Sequence, residues 1–199
     1  MIQEEFSHKT ENSYDNDEGK GVTAYVIDSI IGSKTYGVAK AVELVAVKIS
    51  RHSKVSISSI ILGYEFAVSS HKPKLRSKDK GFKDSRMNVS LGGYDSKALD
   101  MATEAITAAG LHVASVPLTL DSMSGTSMST PHVAGLLSYY LSLFPEPESE
   151  FAVASLDPQT LKSKVLKYAT KGALHGLLGS PNLLAYNGAG RNLSEFWNL

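Results

Sequence analysis

The sequence predicts an α/β fold with a parallel sheet. Three observations predict it. Short β-branched runs alternate along the chain with stretches of helical periodicity. The strand-like runs are near-continuously apolar, as strands covered on both faces are. The intervening segments are long enough for crossovers, though the one near the N-terminus shows no helical periodicity.

Val22 to Asp28 is the first such run and ends on an aspartate. Glu43 to Ile49 is the second. Val55 to Ser70 places Ile57, Ile60, Ile61, Tyr64 and Val68 at helical spacing. Arg86 to Leu91 is a third strand, stopped by Gly92 and Gly93. Asp95 or Ser96 caps a helix with Leu99, Ala102, Ile106 and Ala109 on one face, and Gly110 ends it. Leu111 to Ser115 is a fourth strand. A long helix follows from about Ser127 to Phe144, stopped by Pro145. Asp157 and Pro158 are an N-cap followed by Pro at N1, opening a helix to about Tyr168. Leu183 to Tyr186 is a last short strand. The exception is Ser29 to Val42, which holds Gly32 and Gly37 and shows no helical periodicity. It spans the first crossover without covering the strands it joins, so apolar surface is expected in water there and the chain is expected to fold poorly.

Composition bounds the function. The 199 residues are 42% apolar and 20% charged, a soluble globular balance with enough chain for one core. Twenty basic and twenty acidic residues cancel, so neither a nucleic acid nor an anionic membrane surface is expected as partner. The basic run Lys72 to Arg86 reads as a solvated loop. No cysteine is present, which excludes disulfides, thiolate metal sites and a cysteine nucleophile. Residues 1–20 are polar and acid-rich and read as a flexible lead-in without the apolar stretch of a signal peptide; residues 21–199 read as the folded domain. No apolar run is long enough to span a membrane. Asn88-Val-Ser90 and Asn192-Leu-Ser194 match the glycosylation pattern, the first by chance inside a strand.

The densest signal is Ser124-Gly-Thr-Ser-Met-Ser-Thr-Pro-His-Val-Ala-Gly135. It sets Ser127 where a glycine turn enters a helix. A hydroxyl there faces unpaired backbone N–H groups that can receive developing negative charge. This motif resembles the nucleophile segment of the subtilisin-like serine proteases. The resemblance extends to Tyr25-Val-Ile-Asp28, Lys34 to Lys40, Val45 to Lys48, Asn88-Val-Ser-Leu-Gly-Gly93 and Asn182 to Asn187. Glu18 to Val22 and the tail Tyr186 to Asn198 are most similar to the cerevisin type within the proteinase K group.

The resemblance implies a three-layer subtilisin-like fold with Ser127 as nucleophile and Asp28 as the carboxylate that orients a histidine. Ser90, Leu91 and Gly92 would pair with an extended peptide or unfolded protein substrate, and Gly125 would shape the turn at the nucleophile. No cofactor is expected; the family sometimes binds calcium, and no site is identifiable. The resemblance implies a vacuolar or secreted location. The fold is expected to be incomplete, lacking one crossover helix and several strands. The family's histidine segment has no counterpart, and the gap falls near residues 29/30. A second gap near 115/116 removes the asparagine that helps hold the oxyanion. His132 lies five residues past Ser127 on the same predicted helix, about 7.5 Å along its axis, and reads as a packed residue. His8, His52, His71, His112 and His175 read as solvated or structural. Deficient catalysis follows, and a non-catalytic peptide binder is the alternative.

Overall fold

The computed structural model describes residues 18–27, 38–50, 55–77, 81–91, 96–115, 126–144, 156–177, 179–188 and 193–199, with the side chains of residues 126–128 excepted. The chain divides into two compact units, one over residues 16–158 and one whose described part is residues 159–199.

The larger unit holds β1 (Val22–Ile27), β2 (Glu43–Ala46), α1 (Ile57–Ser77), β3 (Asp84–Val89), α2 (Lys97–Ala108), β4 (His112–Ser115) and α3 (Thr126–Ser142). The strands form one parallel sheet in the order β2-β1-β3-β4. Helices α1 and α2 cover one face, where Tyr25, Ile27, Met87 and Val89 of the sheet meet Ile60, Tyr64, Ala67, Leu99 and Ile106. Each large side chain buried there contributes about 1.5–3 kcal/mol. Helix α3 lies on the other face, against β1, β3 and β4. The layering is the one expected.

Local chemistry sets the element ends. Ser96 caps α2, its hydroxyl accepting from the Leu99 N–H at 3.4 Å. Gly110, at φ +99°, stops α2 in a Schellman turn. There its N–H donates to Thr107 O, and the Leu111 N–H to Ile106 O. Helix α1 continues seven residues past the expected Ser70, through Pro73. Tertiary ties hold that last stretch: His71 is buried, and Lys74 Nζ donates to Glu43 Oε2 at 2.7 Å and Thr23 Oγ1 at 2.9 Å.

Three expectations are corrected. The second strand stops at Ala46 and, among the described residues, is an edge strand rather than a buried one, with β1 as its sheet neighbour on one side. Its Val45 face packs on the core, while Leu44 on the opposite face is 45% exposed. The basic run from Lys72 is not a loop throughout: α1 takes it to Ser77, β3 starts at Asp84, and Arg86 is completely buried because its strand position faces α3. His132 is exposed rather than packed, on a face of α3 it shares with the exposed Val133.

Helix α3 runs antiparallel to the strands. Its far end sits at their amino ends, where the Gly19 N–H donates to Ser142 Oγ at 3.0 Å. Lys83 Nζ donates there to Ser142 O and Phe144 O. Gly135 lets the helix approach residue 38 closely, since a Cβ at Gly135 would run into the Val38 side chain.

In the smaller unit, α4 (Pro158–Tyr168) precedes a two-residue antiparallel pair, β5 (Thr170–Lys171) with β6 (Leu183–Leu184), and α5 (Ser194–Trp197). Phe196 is buried edge-on against Tyr168, with ring centroids 5.5 Å apart. Asn182 adopts φ +51°, and its side chain accepts from the Leu174 N–H and donates to Leu174 O.

Two predictions follow from this packing. Gly135→Ala will lower unfolding stability by about 1–3 kcal/mol through overpacking. Helix propensity alone predicts a gain of about 1 kcal/mol, so a stabilised variant in denaturant titrations would refute the close approach. The second concerns pH. Burial holds the His71 imidazole below its ordinary range, opposed by a smaller raising effect of Asp84 and reinforced by His112 and Lys72. Neither ring nitrogen has a hydrogen-bond partner. The unfolded chain takes up a proton near the ordinary value of 6.5, which the folded chain resists. The stabilisation is therefore present above that value and lost as pH falls through and below it, at up to about 1.4 kcal/mol per pH unit for one proton. Relative to His71→Leu, the wild type should lose midpoint steadily between pH 7 and 5; parallel pH profiles would count against it.

Candidate active site

The carboxyl ends of β1 and β3 lie side by side. The Ser90 N–H, one residue past β3, donates to Ile27 O at 3.4 Å. On the other side of β3, Val89 pairs in register with Ser115. Because α3 is antiparallel to the strands, its N-terminus points to this same end. A helix of 17 residues is about 25 Å long, and a six-residue strand spans about 20 Å, so the two ends match in height.

Ser127 is the second residue of α3. The N–H groups of this first turn have no partners within the helix, and the helix dipole adds positive potential. Pro131 sharpens the local geometry. It has no N–H to give the Ser127 carbonyl four residues earlier, so the first turn lacks one of its ordinary ties. A nucleophilic hydroxyl at this position would have fixed dipoles beside it for an oxyanion.

The other expected residues stand as follows. Asp28 directly follows Ile27, the last residue of β1, and lies outside the described residues, as do Gly92 and Gly125. Ser90 is buried, and its hydroxyl accepts from Asn88 Nδ2 at 3.0 Å. Leu91 is half-buried against the α1–α2 core. Asn88 opens the segment read as resembling the family's substrate strand, but its bond to Ser90 was not anticipated. Its spacing of two from Ser90 puts both on one face of a strand, and the pair also matches the glycosylation pattern. Its complete burial keeps that pattern from any modifying enzyme in the folded protein.

None of the buried histidines among the described residues stands at the end of the sheet where α3 begins. His71 packs near Gly110 and Phe82, and His112 Nε2 lies 3.2 Å from Asp84 Oδ2. Both are at the amino ends of the strands, the far end of the sheet from the first turn of α3. His132 is exposed on α3 itself. His175 is exposed in the smaller unit, and His8 and His52 lie outside the described residues. Among the described residues, no cluster of three or more His, Cys, Asp or Glu is placed to hold a metal ion. Among them, too, no helix is long and apolar enough to cross a membrane.

Comparison with known proteins follows this geometry. Residues 112–190, which contain Ser127 and all of α3, match the model of the subtilase family of peptidases. Cerevisin of Saccharomyces cerevisiae is 33% identical over 284 residues, covering 93% of this chain and 45% of its own. Subtilisin-like protease 3 of the same yeast is 32% identical, covering 96% of this chain and 60% of its own. The chain thus spans about half the length of these two relatives. The subtilisin-like serine protease Rho m 2.0101 of Rhodotorula mucilaginosa is 32% identical over 282 residues, with 92% of this chain and 82% of the relative covered. Each matched span exceeds the 199 residues of this chain, so the relatives carry segments inside it that have no counterpart here. The fold is also that of a cold adapted subtilisin-like serine proteinase of known crystal structure, with a TM-score of 0.69 at 22% identity over 88% of this chain and 92% of that one. Motif, fold and relatives agree that the chain belongs to the subtilase family of subtilisin-like serine proteases.

Proposed function

We propose that Ser127 occupies the nucleophile position of a subtilisin-type endopeptidase and that this chain, lacking a histidine base, turns over peptide bonds negligibly. The observation that carries this reading is the place of Ser127 in the first turn of α3, at the carboxyl end of a parallel sheet. Asp28, the residue after β1, takes the orienting role. In an active arrangement Ser127 Oγ would attack the scissile carbonyl, and a histidine would take its proton and later protonate the leaving amine. The two buried histidines of this unit stand at the opposite end of the sheet, which supports the deficiency.

The magnitudes decide between weak and negligible activity. Removing the base from such a triad costs on the order of a millionfold in turnover, a figure set by subtilisin itself. Loss of one oxyanion donor, the role of the missing asparagine, costs about 3 kcal/mol more. The substrate class is extended peptide or unfolded protein, with hydrophobic side chains favoured, and the family resemblance favours the vacuole or the cell exterior.

A second reading keeps binding without chemistry. The Ser90–Leu91 end of β3 lies at the same end of the sheet as Ser127, and an extended peptide paired there needs backbone groups alone.

Purified protein incubated with casein is expected to release no more fragments than Ser127→Ala. Hydrolysis that disappears in Ser127→Ala would overturn the deficiency. Full-length sequencing of the message across residues 29/30 and 115/116 gives an independent check. Continuous joins are expected from a deficient relative, and a message inserting a His-Gly-Thr-His segment at the first would restore the base. For the binding reading, a fluorescent extended peptide should show saturable anisotropy that weakens in Leu91→Lys; no saturation up to millimolar protein would remove it.

A further inference from the structure

Strand β2 leaves one edge of the sheet open. Val47, one residue past the strand, donates its N–H to Val26 O of β1 at 3.0 Å. Backbone groups of an extended strand alternate in direction, so those of Val45 also turn to β1 and those of Leu44 and Ala46 turn outward. Among the described residues no strand pairs with that outer side. Sheet edges are ordinarily guarded by an outward charge, a proline or a bulge. Here Leu44, Val45, Ala46 and Val47 form an uninterrupted apolar run, and Leu44 is 45% exposed. Glu43, the one acid of the strand, is held toward β1 and α1. Its Oε2 accepts from Thr23 Oγ1 at 2.6 Å and from Lys74 Nζ at 2.7 Å.

The flank of α1 above that edge is apolar too. Tyr64 meets Thr103 of α2 through a side-chain hydrogen bond. Leu62 and Phe66 lie two residues to either side of Tyr64, about 200° round the helix, on the flank turned from α2. They are 64% and 49% exposed. Phe66 meets Tyr25 of β1 edge-on, with ring centroids 6.3 Å apart. A Cβ at Gly63 would lie 2.9 Å from Ile49 Cγ2, 3.2 Å from Val47 Cγ1 and 3.4 Å from Ile27 Cδ1. The helix therefore lies over the space between β1 and the line of β2.

We propose that this edge binds a second copy of the same chain, β2 pairing antiparallel with its counterpart across a two-fold axis normal to the sheet. Such an interface is isologous and closes at two copies, because it consumes the edge that makes it. Like charges directly opposite each other are destabilising, so Glu43 and Lys48 confine the axis to the apolar residues between them. An axis at Val45 sets Leu44 of each copy opposite Ala46 of the other and uses both outward-facing residues of β2. It also keeps the two α1 helices on one side of the joined sheet. Their separation is two strand spacings, about 10 Å, near the distance at which helices pack. Leu62 and Phe66 of each copy then fill the cleft between the helices. A lone extended peptide would satisfy the backbone of β2 but leave that apolar flank in water; a second copy covers both.

Sedimentation velocity of the 199-residue protein over a dilution series tests the pairing. The expected result is a reversible shift from twice the chain mass to the chain mass. Ala46→Pro removes an outward N–H and leaves the bonds to β1 in place. It should weaken association about thirtyfold, for two ladder bonds lost per dimer, with an unchanged circular dichroism spectrum. Leu166→Lys, at an exposed leucine of α4, should leave association unchanged. The chain has no cysteine, so Val45→Cys supplies one thiol per copy. In the proposed register these two residues face each other as a pair without mutual backbone bonds, about 4.5 Å apart at Cα, and mild oxidation should join them. Ala46→Cys, offset from its own copy by two residues, should not cross-link. A wild type that stays monomeric at every concentration would overturn the proposal, and slow amide exchange at Leu44 and Ala46 in that monomer would give the edge to another segment of the same chain. A dimer that Ala46→Pro leaves intact and Val45→Cys does not join would overturn it as well.

Discussion

The close, antiparallel seat of α3 on the sheet is the constraint on which the site depends. Gly135 permits the approach to Val38. Gly19 and Lys83 tie the far end of the helix to the amino ends of β1 and β3. With that end fixed, helix length and strand length set where the other end falls. Ser127 is carried to the carboxyl ends of the strands as a consequence. A motif that reads as catalytic sequence is therefore also packing sequence. Gly135 in particular acts through steric fit, eight residues from the hydroxyl it helps to place.

The two faces of the sheet are built on different physics. Toward α1 and α2 the buried contacts form an apolar cluster. Toward α3 they include Arg86, Asn88, Ser138 and His112, all buried. Polar groups in such a layer fix one arrangement when satisfied and oppose folding when they are not. The edge strand β2 adds a second weakness, with Leu44 exposed on the face opposite the core.

Much of this was legible in the sequence, and the exceptions have physical reasons. The β-branched runs ending at Asp28 and Ser115, the Ser96 cap and the Gly110 stop are local signals, and the corresponding elements formed where those signals lie. Extension of α1 through Pro73 was not legible, because it depends on Lys74 reaching Glu43 across 31 positions of chain. Shortening of β2 follows from its place at the sheet edge, which no local pattern encodes. Thr170–Lys171 and the single turn at Ser194–Trp197 are too short to carry periodicity, whereas Leu183–Leu184 falls inside the strand expected at Leu183 to Tyr186. Arg86 reads as one more charge in a basic run, and only the sheet register turns it inward. At the site, the Ser127 motif was legible from its glycines and proline, whereas the bond from Asn88 to Ser90 depends on side-chain rotamers that no residue spacing encodes.

On the proposed reading the chain keeps the family's helix and sheet without its base, and so separates two contributions to catalysis. Helix placement sets where an oxyanion would be received, and the base sets whether the hydroxyl becomes a nucleophile at neutral pH. Reaction with a fluorophosphonate, which reports serine activation without needing a peptide to dock, tests this most directly. The account predicts that intact-mass spectrometry of the folded protein shows no adduct at Ser127 beyond that of the heat-denatured chain. Stoichiometric labelling of Ser127 in the folded protein, abolished by denaturation, would contradict it and require a base that the described histidines do not provide.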